Sequence, residues 1–300
     1  MIHFIDGLHL GRPKVIGLGL VGRDSLALID SGPDGCFEAV VAGIRGLGLR
    51  PEAVTHLLVT HIHLDHSGGA WRWAKEFGAT VCVHPRGAAH LENPGKLVAS
   101  ATTIFGAEMD RLWGEIQPVP KEKIRIVHDG DEISAGGTVF RVVETPGHAP
   151  HHQAYWLAGE RTLFAGDAAG CAIEGGPLLP PCPPPDINLE RWRASLEKIR
   201  ALDPERIWLT HFGSVDAPRA KLDELERRLV EWAAWIKAEL RRGRSVAEIE
   251  PRFTEKVAAE LRDAGASDEL IATYEQADPS AMSVGGLARY WKKYHSAELA

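Results

Sequence analysis

Short apolar runs alternate with amphipathic stretches through the first two-thirds of the chain. Lys14 to Gly22 and Ser25 to Asp30 flank Gly22-Arg23-Asp24 and read as a hairpin, stopped by Asp30-Ser31-Gly32-Pro33. Phe37, Val40, Val41, Ile44 and Leu47 fall on one helical face, and Pro51 follows as a breaker. His56 to Thr60 reads as a buried strand, Gly68 to Phe77 as a short helix and Thr80 to His84 as another strand. Residues 86–121 interrupt the rhythm with Pro94-Gly95, a helix expected from Lys96 to Trp113, and two further prolines, so they read as an insertion. Strands resume at Ile124–Val127, Thr138–Thr145, Gln153–Leu157 and Thr162–Ala165. A Gly/Pro-rich loop, 171–187, cannot be helix or central strand, because proline has no N–H to give. A helix carrying Leu189, Trp192, Leu196, Ile199 and Leu202 precedes the strand Arg206–Thr210.

From Asp216 onward the strand patterns vanish. Leu222, Leu225, Leu229, Trp232, Ile236 and Leu240 repeat at three and four, and Ser245-Val-Ala-Glu248 opens a further helix as a capping box. Two shorter helices complete the chain. Residues 1–215 are therefore expected to form an α/β unit and 216–300 a C-terminal helical subdomain.

Composition narrows the partners. Apolar residues make up 44% and charged residues 25%, the balance of a soluble globular protein. The formal net charge of −7 argues against nucleic acid and against an anionic membrane surface. No apolar run reaches a membrane-span length and no basic, apolar leader opens the chain, so a cytoplasmic location is expected. The four cysteines are far apart, which excludes a disulfide framework or a cysteine zinc site. A small-molecule substrate is the expected partner, and a homo-oligomer is compatible with the sequence.

The chemistry concentrates in His61-Ile62-His63-Leu64-Asp65-His66, just after a buried strand. His61 and His63 alternate, so on extended backbone they point the same way. Asp65 and His66 lie one turn further on. Thr145-Pro146-Gly147-His148, Phe164-Ala165-Gly166-Asp167 and Leu209-Thr210-His211 each put a ligand-type residue at the end of a strand. Imidazole and carboxylate suit zinc, iron or manganese. Five histidines and two aspartates are enough for two metals with one bridging carboxylate.

This ordered set, H-x-H-x-D-H followed by G-H, G-D and T-H, resembles the metallo-β-lactamase fold superfamily over roughly residues 13–215. The resemblance implies a four-layer αβ/βα sandwich, here with a C-terminal helical appendage, and metals at one edge of its two sheets. It implies that His61, His63 and His148 hold one metal, that Asp65, His66 and His211 hold the other, and that Asp167 bridges. Asp30, in Leu28-Ile29-Asp30-Ser31-Gly32, would order the ligand loop from behind, and His152 would support the site without ligating. Asp at 65 followed by His at 66 is similar to glyoxalase-II, lactonase and phosphodiesterase branches; no cysteine stands where some β-lactamases use one.

The implied cofactors are two divalent ions, zinc first, with iron or manganese as alternatives. The implied activity is hydrolysis of a small ester, thioester, lactone or phosphodiester by a metal-bridging hydroxide, with Asp65 and Asp167 catalytic. Two alternatives stand beside it: a mononuclear non-haem iron enzyme resembling persulfide dioxygenases, and a non-catalytic metal-stabilised binding module. The insertion and the proline loop are expected to wall or cover a substrate pocket. Trp73, Trp192 and Trp232 are expected in the core, and Tyr155 in a strand.

Overall fold

The computed structural model describes residues 1–215 and 218–300, and in it two six-stranded sheets lie face to face between layers of helix. The first sheet runs in spatial order β1 (Ile2–Asp6), β2 (Gly17–Gly22), β3 (Leu26–Ile29), β4 (Val54–Leu58), β5 (Thr80–Val83) and β6 (Ile124–Ile126). The second comprises β7 (Glu132–Ala135), β8 (Thr138–Glu144), β9 (Gln153–Leu157), β10 (Thr162–Phe164), β11 (Arg206–Leu209) and β12 (Gly213–Val215), likewise in chain order across the sheet. The β2–β3 pair is the expected hairpin, Gly22 opposite Leu26.

Two-residue alternation decides which layer each strand side chain joins. Leu26 and Leu28 point to the helices outside the first sheet, whereas Ala27 and Ile29 enter the layer between the sheets. Ala154 and Trp156 of β9 face outward to the other helix layer, and Tyr155 and Leu157 face inward. The outer layer on the first sheet includes α1 (Phe37–Gly46) and, after the one-turn α2 (Leu64–Ser67), α3 (Ala70–Glu76). Trp73 is fully buried there and packs against Phe37.

The 86–121 region forms α4 (Pro85–Glu92), α5 (Gly95–Phe105) and α6 (Met109–Trp113). The helix expected over Lys96–Trp113 is broken because Gly106 takes a positive φ of 53° and ends α5. Pro85 occupies the first turn of α4, where no N–H is needed, and His84 Nδ1 accepts the Arg86 N–H at 3.0 Å as its cap.

The second sheet is covered by α7 (Leu189–Leu202) and α8 (Pro218–Arg241), followed by α9 (Val246–Asp263), α10 (Asp268–Ala277) and α11 (Ser280–Tyr294). The capping box at Ser245 and Glu248 is formed as expected. One continuous core joins Leu163 and Trp192 to Trp232, Phe253 and Leu287, so α8–α11 pack onto the sandwich. The expected start of the helical subdomain, Asp216, lies outside the described residues. Among the described residues, no helix is long and apolar enough to cross a membrane.

Strand direction gathers the chemistry at one edge. β3, β4, β5 and β6 are mutually parallel, so the segments after β3 and β4 leave the sheet on the same side. β10 and β11 are parallel, β9 is antiparallel to β10, and β8 is antiparallel to β9. The β8–β9 turn and the ends of β10 and β11 therefore emerge together, the edge position typical of ligand-carrying loops.

Candidate metal centre

His61 and His63 follow β4, and His63, on extended backbone, is the last residue before α2 turns Asp65 and His66 around the same centre. His148 lies in the β8–β9 turn, Asp167 just after β10 and His211 just after β11. Gly147 is required here: its φ is 148°, and a Cβ would sit 2.3 Å from the Trp192 backbone, so α7 presses directly on the His148 turn. Ser195 Oγ donates to Pro146 O at 2.6 Å and fixes the same contact.

Two donor sets result. His61 Nε2, His63 Nδ1 and His148 Nε2 form a triangle with edges of 3.0, 3.0 and 3.2 Å. Asp65, His66, Asp167 and His211 form the second set, all donor atoms within 4.8 Å of one another. Asp167 faces both: Oδ2 lies 3.4 Å from His148 Nε2, and Oδ1 lies 3.3 Å from His66 Nε2. Asp65 Oδ2 is 3.3 Å from His211 Nε2. All seven residues expected from the sequence are thus brought together.

The partners on the far side of each ring decide which nitrogen is free. His148 Nδ1 lies 2.8 Å from Pro181 O and His211 Nδ1 lies 2.6 Å from Val15 O; a carbonyl only accepts, so Nδ1 carries a hydrogen and Nε2 is the nitrogen left to face a metal. His66 Nδ1 donates to Asp30 Oδ2 at 2.8 Å with the same consequence. The Thr60 hydroxyl donates to Asp30, which leaves its oxygen to accept from His61 Nδ1 at 3.2 Å. Such outward bonds orient imidazole donors toward a metal.

The fit to cations is supported inside the cluster. His66 Nε2 and Asp167 Oδ1 are buried and have no hydrogen-bond partner. Polar atoms in that state are costly unless something charged occupies the space between them. Edges of 3.0–3.2 Å between imidazole nitrogens are slightly shorter than the roughly 3.3–3.4 Å edge of a tetrahedron with metal–nitrogen bonds of about 2.0–2.1 Å, so a small outward shift of the rings would seat one ion.

Electrostatics separate the two sets. Burial lowers the pKa of His61, His63 and His148, that of His63 to about 3, so these rings are neutral donors. Burial also opposes a charge on His66 and His211, but Asp167 and Asp65 beside them raise both above the ordinary histidine value. Conversely, burial opposes ionisation of Asp65 and Asp167, and His66 in particular holds both below the carboxylate range.

Asp30 is the hub behind the donors. It is fully buried, has a φ of 59°, and accepts from Thr60 N at 2.7 Å, from His66 Nδ1 and from Thr210 Oγ1 at 3.0 Å. It thereby ties the ends of β3, β4 and β11 to α2. His152 accepts the Asp167 N–H on Nε2 at 3.2 Å and meets Thr145 Oγ1 with Nδ1 at 2.8 Å, so neither nitrogen is left for a ligand. Gly166, at a φ of 49°, leaves room for these contacts; a Cβ there would lie 2.8 Å from Thr60 Oγ1. Tyr155 is buried behind β4, its hydroxyl donating to Val59 O at 2.8 Å. The four cysteines are free and buried.

A pocket of about 570 Å³ opens onto His63, Asp65, Asp167 and His211. The insertion supplies Leu97, Ile104, Phe105 and Trp113 to its walls, and the proline loop supplies Pro181 and Pro183. His151 also lines it, whereas Trp71 does not and instead donates to Glu115 O at 3.0 Å. The N-terminal His9 and the α10–α11 junction, with Asp278 and Met282, complete the wall. Sequence reasoning missed these: Asp278-Pro279 reads as helix punctuation, and His9 carries no motif.

The family model for the metallo-beta-lactamase superfamily matches residues 18–211. The metallo-beta-lactamase fold-containing protein ST1585 of Sulfurisphaera tokodaii is 28% identical over 182 residues, 59% of this chain and 67% of that protein. A hydroxyacylglutathione hydrolase of Rhodospirillum rubrum is 33% identical over 167 residues, 55% of this chain and 49% of that protein. Across such curated relatives the chain spans from about half to two-thirds of their length. The crystal structure of the metallo-beta-lactamase family protein TTHA1429 from Thermus thermophilus superposes with a TM-score of 0.70 at 21% identity, covering 93% of this chain and 88% of that one, a likeness of fold.

Proposed function

The chain belongs to the metallo-beta-lactamase superfamily, and on that premise we propose that it is a dinuclear metal-dependent hydrolase acting on a small ester, thioester or lactone with an apolar acyl part. The observation that carries this reading is the pair of donor sets sharing Asp167 at the floor of a largely apolar pocket. His61, His63 and His148 would hold one divalent ion, and Asp65, His66 and His211 the other. Ions bound there supply a hydrolytic nucleophile at neutral pH and polarise the carbonyl under attack.

The chain's own groups do the rest. Leu97, Ile104, Phe105 and Pro183 give an acyl chain an apolar surface and exclude water from the reacting carbon. Asp65 is the partly exposed carboxylate of the cluster, open to the pocket, and is the group placed to take a proton from the nucleophile and pass it to the leaving oxygen or sulfur. Asp167, buried and held by His152 through its N–H, keeps the two donor sets in register. Arg86 and Lys96 reach the pocket from the insertion and favour a leaving group with negative charge. Relatives that carry the name hydroxyacylglutathione hydrolase support acyl chemistry over phosphodiester cleavage. His211, completing a second donor set, favours two ions over a mononuclear iron centre.

The test is elemental mass spectrometry on the full chain purified without chelator, paired with hydrolysis of acyl esters and acyl thioesters of increasing chain length. Two metal equivalents are expected, with turnover that chelation and His63→Ala both abolish. One iron per chain with oxygen uptake, or hydrolysis indifferent to metal removal, would overturn the reading.

A further inference from the structure

Asp278 ends α10 and precedes Pro279, and it lies in the wall of the pocket that opens on Asp65, Asp167 and His211. It is only 7% exposed, and its carboxylate makes no hydrogen bond or ion pair among the described residues. The structural tasks open to an aspartate at a helix junction are already taken. Glu275 holds the first turn of α11, its Oε2 accepting the Ser280 N–H at 3.1 Å and its Oε1 the Ser280 hydroxyl. Ser267 caps the start of α10. Burying a carboxylate that has no hydrogen-bond partner opposes folding.

Its place is nonetheless fixed from several sides. Tyr274 Oη accepts the Ile173 N–H at 3.0 Å and donates to Pro177 O at 2.9 Å. Gln276 Nε2 donates to His9 O and Arg12 Nη1 to Thr273 Oγ1, both at 3.1 Å. Cys182 N–H meets Ser283 Oγ at 3.2 Å. The pocket is lined mostly by apolar groups such as Pro181, Pro279, Met282 and Ile16, with the polar His9 and Gln276 among them. A held acceptor in a mostly apolar pocket selects ligands that bring a donor to it, because a ligand without one leaves the carboxylate unpaired.

We infer that Asp278 is a substrate-anchoring residue whose carboxylate accepts a hydrogen bond from an N–H or O–H group on the apolar part of the substrate. This rests on the reading of the pocket as the substrate site. Burial raises the Asp278 pKa to about 7, Asp167 adding to that shift, His211 opposing it, and Glu275 and Asp65 adding further. The test is therefore made at about pH 8, where the carboxylate is ionised.

Isothermal titration of the full chain, with the metal it is purified with, uses three matched probes: hexylammonium, 1-hexanol and hexyl methyl ether. The expected result is binding of a donor-bearing probe at least about tenfold tighter than the ether. Asp278→Leu removes that difference, while Asp278→Asn keeps it for the alcohol and loses it for the ammonium. Preference for the alcohol alone identifies a neutral donor on the substrate, and preference for the ammonium alone a cationic one. Equal binding of all three, binding of none, or a preference that survives Asp278→Leu overturns the inference. Asp278→Leu is expected to melt at or above the wild-type temperature, since it removes an unpaired buried charge. A lower melting temperature would reveal a structural role and would also overturn it. Binding is read without turnover, so a chain inactive on every ester leaves this result standing.

Discussion

Replacing Asp30 by Asn separates the two donor sets. The substitution keeps the side-chain shape, and Asn accepts the positive φ of 59° at this position. One carboxylate oxygen becomes an NH2. Thr60 N–H, 2.7 Å from Oδ1, can only donate, so the amide oxygen stays there and the new NH2 replaces Oδ2. That NH2 faces the Thr210 hydroxyl, which can rotate to accept, and His66 Nδ1 at 2.8 Å. His66 then resolves two donors pointing at each other by moving its hydrogen to Nε2, the atom that faces Asp65 and Asp167. A ring with Nε2–H cannot ligate. Holding the competent tautomer instead leaves a buried donor unpaired, at about 1–3 kcal/mol. At about 1.4 kcal/mol per decade, that is a loss of roughly 5- to 150-fold in affinity, which brackets the roughly 10- to 100-fold expected when the outer partner of a ligating histidine is removed.

The loss should fall on one set only. His61, His63 and His148 take their orientation from Thr60, Pro181 and one another, and Thr60 keeps its amide-oxygen acceptor. Competition with a chromophoric chelator should resolve two equivalents in the wild type. In Asp30→Asn one equivalent keeps its affinity and the other weakens by about 10- to 100-fold. Both equivalents binding as in the wild type, or both weakened equally, would refute the tautomer argument.

His152→Leu leaves the Asp167 N–H and the Thr145 hydroxyl without partners, and should cost about 1–3 kcal/mol in urea unfolding and lower the metal content; an unchanged midpoint would contradict it. Phe253→Ala opens a cavity against Trp232, whose ring centroid is 4.9 Å away, and should cost about 3–5 kcal/mol; a loss below about 1 kcal/mol would mean that the helices do not share the sandwich core. In the chelator-treated chain the neighbouring carboxylates raise His66 and His211 above the ordinary histidine value, while burial lowers His61, His63 and His148. Calorimetry in two buffers should therefore record more proton release near neutral pH for the equivalent bound by Asp65, His66 and His211 than for the other. The stabilising contribution of His66 to that metal-free state is full below 6.5 and is lost as pH rises through its raised folded value, whereas the neutral set weakens the fold as pH falls below 6.5. Equal proton release from both equivalents would refute the assignment.

The donor residues were legible in the sequence because each stands at a strand end in a fixed order, and strand direction alone then brings them to one edge. What escaped was structure whose cause lies elsewhere in the chain. β1, β7 and β12 are edge strands of three to five residues, and their pairing is imposed by neighbours rather than by their own alternation. The run over 96–113 read as one helix because a single glycine is compatible with a helical pattern; only the positive φ of Gly106 shows the break. His84 reads from the sequence only as the end of a strand, and its role as the cap of α4 depends on Pro85 starting that helix.

Dependence on distant partners also explains why the C-terminal helices belong to the metal site. Cys171 and Leu179 pair through their backbones at the start of the proline loop, but Pro183, Pro184 and Pro185 have no N–H, so its later part cannot hold its course in that way. Its anchors come from α10 and α11: Tyr274 Oη on Ile173 and Pro177, and Ser283 Oγ on Cys182. Gly286 lets α11 lie against the Cys182 carbonyl, where a Cβ would approach to 2.0 Å. The residue before Cys182 is Pro181, whose carbonyl accepts His148 Nδ1–H at 2.8 Å and leaves His148 Nε2 bare toward His61 and His63. A path of direct contacts therefore runs from a helix about one hundred residues away to a metal-facing nitrogen. Helices that read from the sequence as an appendage set the tautomer of one donor, and through Asp278 they supply a wall of the pocket that the donors face.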